Sequence, residues 1–418
     1  MTAAPTHTLP PATTQPLLSV VMPTYNQSRF IRQAIDSVLA QDYRPIELLV
    51  FDAVSTDDTV DILRHYAGKH SDVVQFVSRK DRGQSDAINQ GLTQARGEIV
   101  CWLNSDDAFA DGAVRTVVDA FTRHPDVQFI WGRGWTIDEQ GRRLGDGGVR
   151  AGNAWTLIHQ RNFIQQPSCF FRKSLFDRVG PIDEALYYVM DWELWIRMNA
   201  HKGMFIDDYL SLNREWGANK TQSGQTRRWL EIRSMVRRYS DTNWAPVVWL
   251  YLLEAMCQMV RAHRLTRPLE SILGRLFFHG MCIDMSGCYS DGGVRQRFHL
   301  SVGNPDSLPL LRLHITPLSR YDPALADVYP IVVHWRNSHS QSGRFQYDED
   351  GQTQTIDIPL PPAGDKVFVH YQFDVDRVTH TIARSDTMPH RKIVAFLDGA
   401  EPASAGSSDS APANESVR

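Results

Sequence analysis

Four short blocks of the sequence gather carboxylates, hydroxyls and amides at spacings that suit chemistry. The first is Asn104-Ser105-Asp106-Asp107. Two adjacent carboxylates repel unless a cation or hydrogen-bond donors neutralise them, and hard divalent ions such as Mg²⁺ and Mn²⁺ take carboxylate and phosphate oxygens together. A nucleoside diphosphate bound there completes the coordination and becomes a better leaving group. The same tetrapeptide precedes a helical stretch and also reads as its N-cap. The second block runs Asp52-Ala53-Val54-Ser55-Thr56-Asp57-Asp58-Thr59. Asp52 follows an apolar run directly and can accept a hydrogen bond from a base N–H, whereas Ser55, Thr56, Asp57 and Asp58 suit the capping of the next helix. In the third, Arg82-Gly83-Gln84-Ser85-Asp86-Ala87-Ile88-Asn89, a glycine permits close backbone approach and Ser85 and Asp86 open a helix. Capping is the alternative there, and Asn89 can equally tie down a loop. The fourth is Tyr188-Val189-Met190-Asp191-Trp192-Glu193-Leu194-Trp195-Ile196-Arg197. Asp191 begins a helix, as a cap or as a general base held into a cleft by a rigid support. Glu193, two residues on, points away from Asp191 on a helix and does not pair with it.

These residues need elements to hold them. Apolar runs at 18–22, 46–51, 73–77 and 98–103 alternate with helix-period segments at 30–39, 60–67, 86–95 and 113–122. Strands apolar along their whole length suit a parallel sheet covered on both faces, and the alternation marks a doubly wound α/β domain. Ligands of such sheets bind beyond the carboxyl ends of the strands. Pro23, Thr24, Tyr25 and Asn26 follow the first run, Asp52 the second and Asn104 to Asp107 the fourth. Residues 225–280 turn helical and Arg-rich, and 281–398 read as strand-length runs broken by turn residues, a β-sandwich-like domain. Residues 1–16 and 399–418 have the composition of disordered tails.

Composition narrows the partners. The 418 residues suit two or three domains, and 42% hydrophobic against 22% charged suits an ordinary folded core. A net charge of −4 argues against nucleic acid. Cys101, Cys169, Cys257, Cys282 and Cys288 form no C-x-x-C pair, so free thiols in a reducing compartment are expected. The N-terminus lacks an apolar signal region, and no window holds roughly 18 uninterrupted apolar residues. The expected location is cytoplasmic, with peripheral contact at the inner face of the cell membrane. The Arg-rich stretch 227–239 reads either as a helix facing anionic lipid or as a packed helix with a solvated basic face. Tyr289, Trp335, Phe345 and Tyr347 read as sandwich core or as a carbohydrate-binding surface.

The four blocks, in this order, resemble the family 2 glycosyltransferases of the GT-A fold. Ser19 to Asn26 looks like that family's first strand, and Asp52 with Ser55, Thr56, Asp57 and Thr59 its second-strand signature. Asn89-Gln90-Gly91-Leu92 and Ala95-Arg96-Gly97-Glu98 resemble the approach to its metal motif, and Trp102 to Asp107 matches the D-x-D position. Gln166-Pro167-Ser168, Phe176, Val179-Gly180 and Asp183-Glu184 resemble its acceptor-side segment. The resemblance covers 17–224 and implies a GT-A domain that transfers a sugar, with inversion, from a nucleotide sugar (a UDP-sugar by default) to a hydroxyl of a glycan or lipid-linked acceptor. It implies that Asp52 binds the base, that Asp106, aided by Asp107, holds Mn²⁺ or Mg²⁺, and that Asp191 is the general base. Pro23, Thr24, Tyr25, Asn26, Ser85, Asp86, Asn104 and Ser105 would line the donor. Three departures stand out: Asn104 replaces the first D-x-D acid, Met190 precedes Asp191 where an acid is common, and Glu215-Trp216 stands where a His is frequent. The competing reading is a non-catalytic sugar-nucleotide or glycan-binding protein on the same scaffold.

Overall fold

The computed structural model describes residues 15–149, 151–216, 224–240, 242, 245–262, 293–294, 297–304, 308–316, 331–347, 354–362, 368–375, 380–382, 391–393 and 395–404. Cys282, Cys288 and Tyr289, and the side chains of Cys257 and Tyr347, lie outside what is described, as does nearly all of both tails.

The N-terminal half is built on one nine-stranded sheet. Its strands are β1 (Leu18–Thr24), β2 (Ile46–Asp52), β3 (Val74–Ser78), β4 (Ile99–Trp102), β5 (Ala108–Phe109), β6 (Phe129–Ile137), β7 (Arg143–Asp146), β8 (Cys169–Arg172) and β9 (Gly203–Arg214). The order is β3-β2-β1-β4-β8-β6-β9-β5, with β7 hydrogen-bonded to β6. β3, β2, β1 and β4 run parallel, and β8 enters antiparallel between β4 and β6. Every residue of β1 and β4 is buried, as expected where helices cover both faces.

Those helices are α1 (Ile31–Leu39), α2 (Thr59–Lys69), α3 (Gln84–Gln94), α4 (Ala113–Arg123), α5 (Ala154–His159), α6 (Lys173–Val179) and α7 (Met190–Met198). The buried Ile31, Ala34, Ile35 and Val38 of α1 recur at the helical period and form one stripe against the sheet. On the other face α3 lies unusually close to β1. A Cβ on Gly91 would come 2.2 Å from Val21 Cγ1, so only glycine fits there. This packing sets the start of α3 beside the ends of β1 and β2.

Two further helices, α8 (Gln225–Tyr239) and α9 (Pro246–Ala262), pack on this domain through Ile232, Met235, Val236, Val247 and Val248. Two four-stranded antiparallel sheets follow. One contains Leu310–Thr316, Gln354–Pro359 and Ala395–Ala403, the other Arg297–Gly303, Ile331–Asn337, Ser342–Tyr347 and Phe368–Val375. Their alternating inner residues share one core, the β-rich architecture expected from the turn-punctuated runs. Trp335 and Phe345 are part of that core. Among the described residues, Cys101 and Cys169 are free and buried, and no helix is long and apolar enough to cross a membrane.

Candidate active site

The carboxyl ends of β1, β2 and β4 meet the first turns of α3 and α7 around a cavity of about 900 Å³. Of the residues singled out in the sequence, Pro23, Thr24, Tyr25, Asn104, Ser105, Asp106, Asp107 and Asp191 line it. Asn26, Asp52, Ser85 and Asp86 stand behind its wall and act on their neighbours.

The acid pair sits deepest. Asp107 is buried, its carboxylate accepting from the Arg214 backbone N–H at 2.8 Å and the Asn104 side-chain amide at 3.3 Å. Asp106 accepts from the Trp216 indole N–H at 2.9 Å, and its carbonyl accepts from Arg214 Nε at 2.8 Å. Burial raises the pKa of both acids, and the charge of Asp106 pushes Asp107 further up. The Arg214 guanidinium packs over Phe30 and donates to the Asp138 carbonyl and Gln33, and burial depresses its own pKa. Asn104 is held on both sides, accepting from Gln84 Nε2 at 2.8 Å and donating to Gln166 Oε1 at 2.9 Å.

Does this fit a hard divalent cation? Among the described residues no group of three or more His, Cys, Asp or Glu side chains gathers. The protein therefore offers two desolvated carboxylates whose negative charge is only partly answered. Mg²⁺ in nucleotide sites is usually held this way, by one or two carboxylates plus substrate phosphates. The donor set fits. Trp216, at the position where the resemblance led to an expected His, supplies a hydrogen-bond donor rather than a lone pair.

The donor-side wall rests on a web of loop contacts. The Asp52 carboxylate accepts from Ser55 N–H, from the Ser55 hydroxyl and from the Ser78 hydroxyl at 2.5 Å. A carboxylate has about four lone-pair sites, so three donors leave one. Ala53, the next residue, lines the cavity. Asn26 (φ 52°) accepts from Thr56 N–H at 2.8 Å, clasping the loop after β1 to the loop after β2. Asp57 strengthens that clasp. Burial is the largest single influence and opposes its ionisation, but the hydrogen bonds from Thr59 and Ser28 together outweigh it and hold the pKa at about 2. At the start of α3, Gly83 has φ 125°, a conformation that only glycine adopts readily. Asp86 accepts from the Arg82 N–H at 3.0 Å and pairs with its guanidinium, and Ser85 points to Met190. Asn89 does tie a loop, bonding both ways to Ile182.

Asp191, half-buried in the first turn of α7, lines the same cavity. Glu193 faces away, as its spacing requires, and is bound by Arg197 and the Tyr239 hydroxyl. Sequence reasoning did not anticipate Arg228 of α8 and Tyr251 of α9, which also line the cavity. The guanidinium lies 4.8 Å from the Tyr251 ring centroid and reaches Glu254 at 3.3 Å. An arginine on the buried side of a helix, among Ile232, Met235 and Val236, was the available signal.

The family model described as glycosyl transferase family 2 matches residues 19–180, the segment that carries the parallel strands and the acid pair. Residues 19–180 form a family 2 glycosyl transferase domain. An uncharacterized glycosyltransferase of Nostoc sp. is 29% identical over 49% of this chain and 67% of its own length. The chondroitin synthase of Escherichia coli is 25% identical over 44% of this chain and 26% of its own. The chain thus spans two thirds of the first relative and about a quarter of the second. Among solved structures, S. aureus TarS 1-349 in complex with UDP-GlcNAc shares 17% identity, with a TM-score of 0.45, over 63% of this chain and 81% of that one. The fold rests on the strand order.

Proposed function

We propose that the chain is an inverting glycosyltransferase that moves a sugar from a nucleotide diphosphate sugar, UDP-linked by default, to a hydroxyl of a glycan or lipid-linked acceptor in surface-polysaccharide synthesis. One observation carries the reading: a single cavity is lined by Asp106, Asp107 and Asp191 together. The transfer needs both the pair and Asp191. The diphosphate oxygen that leaves the anomeric carbon must have its charge answered, and the attacking hydroxyl, a weak nucleophile, must lose its proton. Asp191 takes that proton as the acceptor oxygen bonds to the anomeric carbon and the bond to the diphosphate breaks. Asp106 and Asp107 would hold Mn²⁺ or Mg²⁺, which supplies charge neutralisation to the diphosphate. Thr24, Tyr25 and Ala53 would form the wall against the base, with Asp52 behind it holding the loop that carries Ala53.

Calorimetry of the full chain against UDP, dTDP and GDP, each with and without Mn²⁺, tests this. The expected result is metal-dependent binding of one nucleotide, lost in Asp106→Ala and kept in Asp191→Asn, with Asp191→Asn abolishing sugar transfer. Absence of binding to all three nucleotides overturns the donor site. Full transfer by Asp191→Asn removes the base.

A further inference from the structure

The α8–α9 hairpin has two faces with different tasks. Its inner face packs on the catalytic domain and sends Arg228 and Tyr251 into the cavity. Among the described residues, its outer face carries exposed side chains. At about 100° per residue, Thr226, Arg227, Leu230, Ser234, Arg237 and Arg238 of α8, all exposed, fall within an arc of roughly 120°. Leu230 is 51% exposed, and α9 adds Trp249 at 51% and, two turns on, Met256 at 39%.

The charge on α8 is one-sided. It carries Arg227, Arg228, Arg233, Arg237 and Arg238 against one acid, Glu231. Glu231 is already engaged by the backbone amides of Tyr187 and Tyr188. Arg228 pairs with Glu254, Arg238 with Asp183, and Arg233 lies against Trp229. Arg227 and Arg237 have no carboxylate partner among the described residues. A chain of net charge −4 therefore concentrates uncompensated cations beside large exposed apolar side chains. Bulk water rewards neither the half-exposed Trp249 and Leu230 nor the clustered like charge. An anionic bilayer surface answers both, taking guanidiniums at the headgroups and apolar side chains just below them.

We propose that the outer face of the α8–α9 hairpin docks on a membrane bearing anionic lipid. Because the same two helices wall the cavity beside Asp191, docking brings the acceptor side of the cavity to headgroup level. That last consequence rests on the glycosyltransferase reading; the docking does not.

The test is co-sedimentation of the full chain with vesicles of phosphatidylcholine alone or with 30 mol% phosphatidylglycerol. Binding is expected to the anionic vesicles, to be reduced in 0.5 M NaCl by charge screening, and to be slight with neutral ones. Arg227→Gln/Arg237→Gln should bind the anionic vesicles roughly thirtyfold less tightly, at about fivefold per cation. Leu230→Ser/Trp249→Ser should lose the part of binding that survives salt. All these side chains are exposed and outside the cavity, so unchanged nucleotide binding shows that each variant is folded. Equal binding to both vesicle types, or undiminished binding by the arginine variant, overturns the proposal. So does absence of sedimentation together with a dimer in solution that the Leu230→Ser/Trp249→Ser variant dissolves, which would assign the face to a second copy of the chain. Nucleotide binding without vesicle binding defeats this inference alone, and vesicle binding without nucleotide binding defeats the enzyme alone.

Discussion

Val54 has φ 61° although it is β-branched and half exposed. A branched side chain in the left-handed region costs on the order of 1–3 kcal/mol. The strain sits between Ala53 on the cavity wall and Ser55, which holds the Asp52 carboxylate. The turn is thus fixed by what it does for its neighbours. Asparagine tolerates this conformation, and the exposed valine surrenders little burial. Val54→Asn should therefore raise stability by about 1 kcal/mol in a urea titration and leave nucleotide affinity unchanged. A lower midpoint would show that the valine makes contacts worth more than the strain. Asp52 stands out in the sequence because it follows a buried strand directly, whereas Asp106 and Asp191, at places that also suit helix caps, stand out only through the order of the four blocks. The sequence could not disclose that Trp216 would meet Asp106, a contact across 110 residues that exists only once β9 is paired.

At the scale of elements, α7 is held in place by one buried ion pair and its surroundings. Arg197 donates to Glu193 at 2.8 Å and to the carbonyls of Val179, Gly180 and Pro181, while Tyr239 of α8 donates to the same carboxylate. Loop, α7 and hairpin are joined at this point. Removing one partner of a buried pair costs about 3–5 kcal/mol, because the other charge is stranded. Arg197→Met should destabilise by about that much and lower the transfer rate more than the nucleotide affinity, since Asp191 rides on the same helix. Replacing both partners with apolar groups is far milder, so Glu193→Met/Arg197→Met should lie closer to wild type than the single variant. Denaturation midpoints of the three proteins decide it. Elements with a clear period were legible: α1 and α4 match their apolar spacing to within a residue or so. The two-residue β5, the polar β7 and the strand Ser342–Tyr347 were not, because short or polar edge segments carry little periodicity. The hairpin read only as helical and basic. Which arginine turns inward is decided by packing against α9, where Arg228 meets Tyr251 and Glu254.

Across the whole molecule, the catalytic domain and the β-rich domain meet at three histidines. His159 of α5 donates from Nδ1 to the Trp155 carbonyl at 3.0 Å, and its Nε2 accepts from the Ser240 hydroxyl at 3.1 Å. His370, on strand Phe368–Val375, donates from Nε2 to the Tyr239 carbonyl at 2.9 Å and accepts from Ser301 at 2.7 Å. His299 stacks on Trp155, whose ring also stacks on His159. Each of these partners suits a neutral ring. Burial, with the nearby His370 and His299, depresses His159 to about 3. In the unfolded chain it takes a proton near 6.5. A depressed folded pKa means that this group's contribution is whole above about pH 6.5 and declines as the pH falls toward 3. The raised Asp106 and Asp107 act in the opposite sense, since the folded protein binds their protons more readily. A bare pH profile therefore mixes the two, and a difference between variants separates them. His159→Gln should be less stable than wild type at pH 7.5, and the gap should narrow steadily on the way to pH 4.5. Thermal midpoints of both proteins across that range measure it. A constant gap would mean that His159 takes up its proton equally in the folded and the unfolded protein and that the contact between the domains is indifferent to acid.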